Sequence, residues 1–344
     1  MTELKPLVLS LDAMGGDHAP EIVVKGAALA REKLPQASFL LFGDEKRLKP
    51  LVDAQPSLAG YVDIRHTDQM VKSTDKPSNA LRNGRKSSMR LAIDAVKSGD
   101  ADAAVSAGNT GALMAMAMFG LRTLPGIDRP AICTELPNLN GTSCMLDLGA
   151  NVECDADNLV QFAVMGEVFA RTVMGRDKPS IGLLNVGVEE LKGRDEVKLA
   201  AQMLTETNLP VKFHGFVEGD DITRGTVDVI VTDGYTGNIA LKTMEGMGTM
   251  LVSFFRDAFK SSLMAKLGYL LASGAMKRLS KRVDPRLYNG AVLLGLNGIV
   301  VKSHGGTDEL GFANAIGVAA DMAANGFMEK IKEDFETMRQ DEKA

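Results

Sequence analysis

The sequence predicts a doubly wound α/β fold on a mostly parallel sheet, and three observations carry that expectation. Short apolar runs of strand length alternate with longer stretches of helical spacing, and most runs end in a loop of Gly, Asn, Asp or Thr. That alternation is the signature of βαβ units, because parallel strands need a crossover long enough to hold a helix. The composition agrees: 344 residues, 45% hydrophobic and 24% charged, are those of a folded globular chain. We read residues 1–344 as a single α/β domain.

The first unit runs from 7–11 through Asp12-Ala13-Met14-Gly15-Gly16-Asp17-His18-Ala19 into a helix near Glu21, which Pro20 is placed to start. The segment 70–90, with Arg82, Arg85, Lys86 and Arg90, reads as a basic loop leading into a helix. The run 103–107 then passes through Gly108-Asn109-Thr110-Gly111 into a helix over 112–121. Further copies lie at 145–151, 181–187 and 227–238, and the last is 298–301 followed by Lys302-Ser303-His304-Gly305-Gly306. Ligands of open α/β sheets collect outside the carboxyl ends of strands, so these six loops are expected to line one rim and one crevice. Backbone N–H groups and helix starts gathered there suit an anion such as phosphate. Neither GxGxxG nor GxxxxGK[ST] occurs, which removes the usual support for a dinucleotide or a Walker-type nucleotide site.

A net charge of -5 argues against a dedicated nucleic-acid binder, which needs a basic field. Cys133, Cys144 and Cys154 form no CxxC pair, so no disulfide framework and no metal site is expected. No cofactor is expected either. No stretch reaches the roughly 18 uncharged apolar residues of a membrane span, and a cytoplasmic location is expected. The strongest local bias is 251–286, where eight lysines and arginines face two aspartates among regularly spaced Leu, Phe and Met. It predicts a projecting basic amphipathic helical hairpin. Arg256, Lys260, Lys266, Lys277 and Arg278 are its candidate contacts to an acidic partner or anionic lipid, and a subunit interface is the alternative.

Seven blocks resemble, in order, the PlsX family of phosphate acyltransferases of bacterial phospholipid synthesis. They are 11–20 (LDAMGGDHAP), 106–113 (SAGNTGAL), 146–151 (LDLGAN), 182–185 (GLLN), 189–193 (EELKG), 232–238 (TDGYTGN) and 302–305 (KSHG), so the resemblance covers roughly 7–325. It implies transfer of a fatty acyl group from acyl carrier protein to inorganic phosphate, without a cofactor. It also implies an architecture related to isocitrate and isopropylmalate dehydrogenases and to phosphotransacetylases. A homodimer attached peripherally to the inner face of the cell membrane, beside the downstream glycerol-3-phosphate acyltransferase, belongs to the same expectation. Lys192 matches the family's charge-stabilising lysine and Asn238 its catalytic asparagine. Tyr235, where relatives often carry Phe, and Val188 are small departures.

The chemistry can be weighed beside the resemblance. Phosphate attacking a thioester carbonyl must be held, oriented and relieved of developing negative charge, and no side-chain nucleophile is needed. The leaving thiol has a pKa of about 8.5, so acid assistance at sulfur matters little. Lys192 supplies a compact cation, although a solvated lysine beside Glu189 and Glu190 is the plainer reading of the residues alone. Asn238 supplies an amide donor or a helix cap. Asp12, Gly15, Gly16, His18, Asn109, Thr110, Gly111, Ser303, His304 and Gly305 are the candidate phosphate- and substrate-binding residues, while His304 taken alone reads as structural. Asp12, Asp147 and Asp233 at strand ends read as loop caps more readily than as metal ligands. A coenzyme A-dependent phosphotransacetylase, a dehydrogenase of related architecture and a non-catalytic lipid-surface scaffold are the competing readings.

Overall fold

A computed structural model describes residues 6–206, 211–282 and 284–333. Its strands are β1 (Leu7–Asp12), β2 (Ala37–Gly43), β3 (Val62–His66), β4 (Ala103–Ser106), β5 (Ala131–Asn138), β6 (Gly141–Leu146), β7 (Ser180–Leu184), β8 (Lys212–Val217), β9 (Val229–Val231), β10 (Ala291–Leu294) and β11 (Ile299–Lys302). They form one sheet in the order β3-β2-β1-β4-β11-β10-β5-β6-β9-β7-β8. The strands from β3 to β11 are mutually parallel, and so are β6, β9, β7 and β8. Between these blocks, β11 to β10, β10 to β5 and β5 to β6 are antiparallel. Three reversals make the second block run opposite to the first.

This topology corrects one expectation. The loops after β1, β4 and β11 leave one end of the sheet, and those after β6, β7 and β9 leave strands of the opposite direction. The six loops therefore form two sets of three instead of a single rim. Hydrophobic runs alone do not reveal it, because a strand buried on both faces reads the same in either direction.

The helices are α1 (Glu21–Lys33), α2 (Glu45–Asp53), α3 (Pro77–Asn83), α4 (Ser88–Ser98), α5 (Thr110–Leu121), α6 (Ala156–Thr172), α7 (Asp195–Glu206), α8 (Gly219–Arg224), α9 (Gly234–Lys260), α10 (Leu263–Arg282) and α11 (Glu309–Ala324). Strand alternation divides them between two faces. Leu9 and Leu11 of β1 point into a core shared with Val23, Phe162, Phe169 and Phe312 of α1, α6 and α11. Ser10 points the other way and donates to the Ala92 carbonyl of α4 at 2.7 Å. On that second face, Val300, Ile132, Met145 and Ile230 of the sheet pack with Leu113 and Met116 of α5 and Ala240, Leu241 and Met244 of α9. The first turns of α5 and α9 thus cover the same face.

Beyond Met244 α9 leaves the body, and among its described residues only Gly234 and Gly237 are buried. Ser261 and Ser262 join it to α10, which packs back on it through Phe259 and Tyr269, whose rings meet edge to face at 5.2 Å. The projecting element begins earlier than the charge bias at 251, because α9 is continuous from Gly234. No helix among the described residues is long and apolar enough to cross a membrane.

Phe162 is fully buried between sheet and α6 neighbours. Phe162→Ala is expected to lower stability by about 3–5 kcal/mol, measured as a lower urea midpoint of unfolding.

Candidate active site

Three strands end in, or run directly into, a buried aspartate: Asp12, Asp147 and Asp233. A buried carboxylate must find donors, and each of these finds them largely in the turn that follows it. Asp147 accepts at Oδ1 from the N–H groups of Ile132 (2.8 Å), Gly149 (3.3 Å) and Ala150 (3.1 Å). Its Oδ2 accepts from Asn151 N (2.6 Å) and Nδ2 (3.1 Å). Burial raises the Asp147 pKa while these N–H groups pull it back. The turn 148–151 then meets the start of α9, where Gly234 N donates to the Asn151 carbonyl at 2.7 Å and Asn238 Nδ2 to the Leu148 carbonyl at 3.1 Å. Gly237 permits this approach, since a Cβ there would run into the Asp147 carbonyl.

Asp233 caps α9: its Oδ1 accepts from Thr236 N at 2.8 Å and its Oδ2 from Thr236 Oγ1 at 3.0 Å. Asp233 also pairs with Arg194. The expected cap role of Asn238 therefore falls to Asp233, because α9 starts at Gly234 and places Asn238 in its second turn. One N–H of the half-buried Asn238 amide is engaged with Leu148, leaving the other polar positions for a ligand.

Lys192 lies on the loop after β7, exposed, with Nζ 2.8 Å from Glu189 Oε1. Glu189 raises the lysine pKa, and Lys192 in turn lowers that of Glu189. The loop is tied down by Asn185 Nδ2, which donates to the carbonyls of Gly187 (3.1 Å) and Lys192 (3.0 Å). The Arg194–Asp233 pair ties its far end to α9. Lys192 and Asn238 therefore stand at the carboxyl ends of two neighbouring parallel strands, β7 and β9.

The other loop set is knitted together in its own way. Asp12 Oδ2 accepts from Ser106 Oγ at 2.6 Å, and burial raises the Asp12 pKa. Asp17 N donates to the Gly305 carbonyl at 2.9 Å, and Ser303 N to the Ser106 carbonyl at 2.9 Å. Gly16 has φ +112°, and a Cβ there would crowd Ala107 Cβ at 3.0 Å and the Gly305 carbonyl at 3.3 Å. Among the described residues the N–H groups of Gly16 and Gly305 take no protein acceptor, and those of Thr110 and Gly111 lie in the first turn of α5, where no carbonyl of the helix reaches them.

Several predicted site residues prove to be engaged in holding these turns. Asn109 caps α5 through Oδ1 to Ala112 N (2.9 Å) and donates from Nδ2 to the carbonyls of Ser73 (2.8 Å) and Asp75 (3.2 Å). Ser303 is fully buried and accepts from Asn289 Nδ2 at 2.8 Å. His304 is exposed, and its Nδ1 accepts from Gly306 N at 3.3 Å, which leaves Nε2 as the donor of a neutral ring. His18 is exposed beside Asp17. Arg256, Lys260, Lys266, Lys277 and Arg278 are all exposed on the hairpin.

Sequence reasoning passed over three residues. Asn289 holds the third turn, its Oδ1 accepting from His304 N (2.9 Å) and its Nδ2 donating to the Gly311 carbonyl (2.7 Å) as well as to Ser303. The Asn289-Gly290 pair before β10 was its only local signal. Arg194, next to Gly193, gave none for its pairing with Asp233. Lys302 ends β11, and burial pushes its ammonium down to about 8 against the opposing pull of Asp12 and Asp17. Its signal is parity: it shares a strand face with the buried Val300.

Comparison with known proteins decides the identity. The family model described as "fatty acid synthesis protein" matches residues 7–330. A phosphate acyltransferase of Rhodospirillum centenum is 63% identical over 326 residues, 95% of this chain and 92% of that protein. One of Paramagnetospirillum magneticum is 56% identical over 333 residues, 97% of this chain and 95% of the relative. The chain belongs to the PlsX family of phosphate acyltransferases. It transfers an acyl group to phosphate. Among solved structures, a phosphotransacetylase from Streptococcus pyogenes superposes with TM-score 0.63 at 18% identity, covering 94% of this chain and 95% of that one. A 4-hydroxythreonine-4-phosphate dehydrogenase from Klebsiella pneumoniae does so with TM-score 0.56 at 15% identity, covering 93% and 100%. At these identities the likeness is one of fold, and it matches the architecture expected from the sequence.

Asn289→Ala is expected to cost about 1–3 kcal/mol and to speed hydrogen exchange at the His304 amide, read by mass spectrometry, while exchange in the 148–151 turn stays unchanged.

Proposed function

We propose that the acyl donor is acyl carrier protein charged with a fatty acid, and that bound phosphate itself attacks the thioester. The observation that carries this reading is the Arg194–Asp233 pair, which fastens the Lys192 loop to the start of the helix that bears Asn238. A phosphate oxygen forms the new bond to the carbonyl carbon, the tetrahedral oxyanion collapses, and the C–S bond breaks. The carrier leaves as a thiolate that takes a proton from solvent. In the intermediate, Asn238 donates to the oxyanion and Lys192 neutralises charge on it or on phosphate. Lys192 exchanges Glu189 for this anion readily, because an exposed ion pair holds weakly.

The loops after β1, β4 and β11 seat the phosphate, through the free N–H groups of Gly16, Thr110, Gly111 and Gly305 with Asp12, Gly15, Asn109, Ser303 and Asn289 holding the turns in place. His18 and His304 stand exposed at its edge. In this reading the seat faces Lys192 and Asn238 across the sheet. The helices α5 and α9 cover one face of the sheet.

The hairpin supports the choice of donor. Arg256, Lys260, Lys266, Lys277 and Arg278 give an acidic carrier and an anionic lipid surface a basic landing site on a chain of net charge -5. Coenzyme A needs no such surface. Exposed Phe254, Leu263, Met264, Leu270 and Leu271 add an apolar side for a second copy of the chain in a homodimer or for lipid at the inner membrane face. The acyl phosphate then passes to the acyltransferase that acts on glycerol 3-phosphate.

Purified protein given palmitoyl-loaded acyl carrier protein and labelled phosphate is expected to form acyl phosphate; activity with palmitoyl-coenzyme A alone would overturn the choice of donor. Lys192→Ala and Asn238→Ala are each expected to lose about 10²–10³-fold in kcat with an unchanged circular dichroism spectrum. Sedimentation with phosphatidylglycerol vesicles is expected to fall as salt rises, and to fall further when Lys266, Lys277 and Arg278 are changed to Glu.

A further inference from the structure

The last rung of the first parallel block carries a row of polar side chains. Lys302 of β11 is paired with Ser106 of β4, and Ser106 Oγ donates to Asp12 Oδ2 at the end of β1. Asp12 and Ser106 share the face of Ser10 and Ala104, and Lys302 that of Val300, which is the face covered by α4 and α5. The row therefore lies directly beneath the three glycine turns. Asp12 and Asp17 are the charged groups that face Lys302; β4 and β10 present Ser106 and Ala291 to it.

Among the described residues no carboxylate forms an ion pair with Lys302, and its Nζ meets the Ser303 carbonyl at the base of the third turn. Lys302 is half-buried, and an ammonium stripped of part of its water gains from an anion placed against it. Asp12 accepts from Ser106 at Oδ2 and faces Met14 N at Oδ1, and Asp12 and Asp17 both act on Lys302 from beyond ion-pair distance. The N–H groups of Gly16 and Gly305, in the turns that follow β1 and β11, take no protein acceptor among the described residues. A cation on the strand end below turns with free amides suits a small dianion.

We propose that Lys302 is the cation that holds the phosphate nucleophile, with the row Asp12–Ser106 fixing the strand ends around it. The inference rests on the reading that phosphate sits in the β1, β4 and β11 turns. It separates two tasks: Lys302 holds phosphate before and during attack, and Lys192 answers the charge that develops afterwards. In this arrangement Lys302 stays a cation throughout and moves no proton.

Steady-state kinetics divide the outcomes. Lys302→Met is expected to raise KM for phosphate about 10- to 100-fold while KM for the acyl donor stays within twofold, and Lys302→Arg is expected to restore most of the loss. An unchanged phosphate KM in Lys302→Met overturns the proposal even if Lys192→Ala and Asn238→Ala are inactive. A measurement on the unaltered protein guards against misfolded variants. Reductive methylation with mass-spectrometric readout is expected to label Lys302 at least fivefold more slowly in 10 mM inorganic phosphate than in 10 mM chloride, with Lys277 labelled equally in both. Equal labelling of Lys302 overturns it. Because this readout needs no turnover, it stands or falls apart from the identity of the acyl donor.

Discussion

A carboxylate sealed from water at the end of a strand governs the local structure on which this enzyme depends. Asp12, Asp147 and Asp233 are each almost wholly buried, and each collects donors from the residues that come next. The chain cannot run on straight past such a group, because an unpartnered buried charge is far more costly than a sharp turn. Glycine at 15 and 234 follows from this constraint, since a Cβ at Gly15 would run into the Asp12 carboxylate and one at Gly234 into that of Asp147. The turns are rigid for a reason that lies beneath them. The N–H groups of Gly16 and Gly305 are left without a protein acceptor among the described residues.

The reversal of strand direction in the middle of the sheet then divides the work. One block offers turns with unpaired N–H groups beside a half-buried lysine; the other offers an amide and an exposed lysine on a tethered loop. Two lysines in such different surroundings are suited to different tasks. Lys302, desolvated, gains most from a permanent anion. Lys192, solvated and loosely paired with Glu189, can change partners within a catalytic cycle.

The hairpin obeys a separate logic. Its two helices leave most of their apolar residues unburied by the rest of this chain, and the cavity between them, about 570 Å³, is lined by Leu251, Val252, Phe255, Phe259 and Tyr269 with Arg256, Lys260 and Lys266. An element with so little contact to the body contributes little to the body's stability. It retains its helical form through packing of α9 on α10 and supplies a surface of charge opposite to that of the whole chain.

Much of this was legible in the residues. The βαβ alternation gave the fold class, the ordered blocks from Asp12 to Gly305 gave the family, and the charge bias over 251–286 marked the hairpin. The reading of strand-end aspartates as caps agrees with their hydrogen bonds. What stayed hidden involved partners distant in sequence. Arg194 meets Asp233 and Asn289 meets His304 only because separate strands lie side by side, and Lys302 is half-buried only because neighbouring strands pair on either side of it. By itself the sequence determined the elements, their turns and the chemistry available, because periodicity, glycine and capping act over a few residues. Tertiary structure alone decided which loops share an end of the sheet and which cations lose their water, because strand direction and burial are properties of neighbours that the chain brings together from far apart.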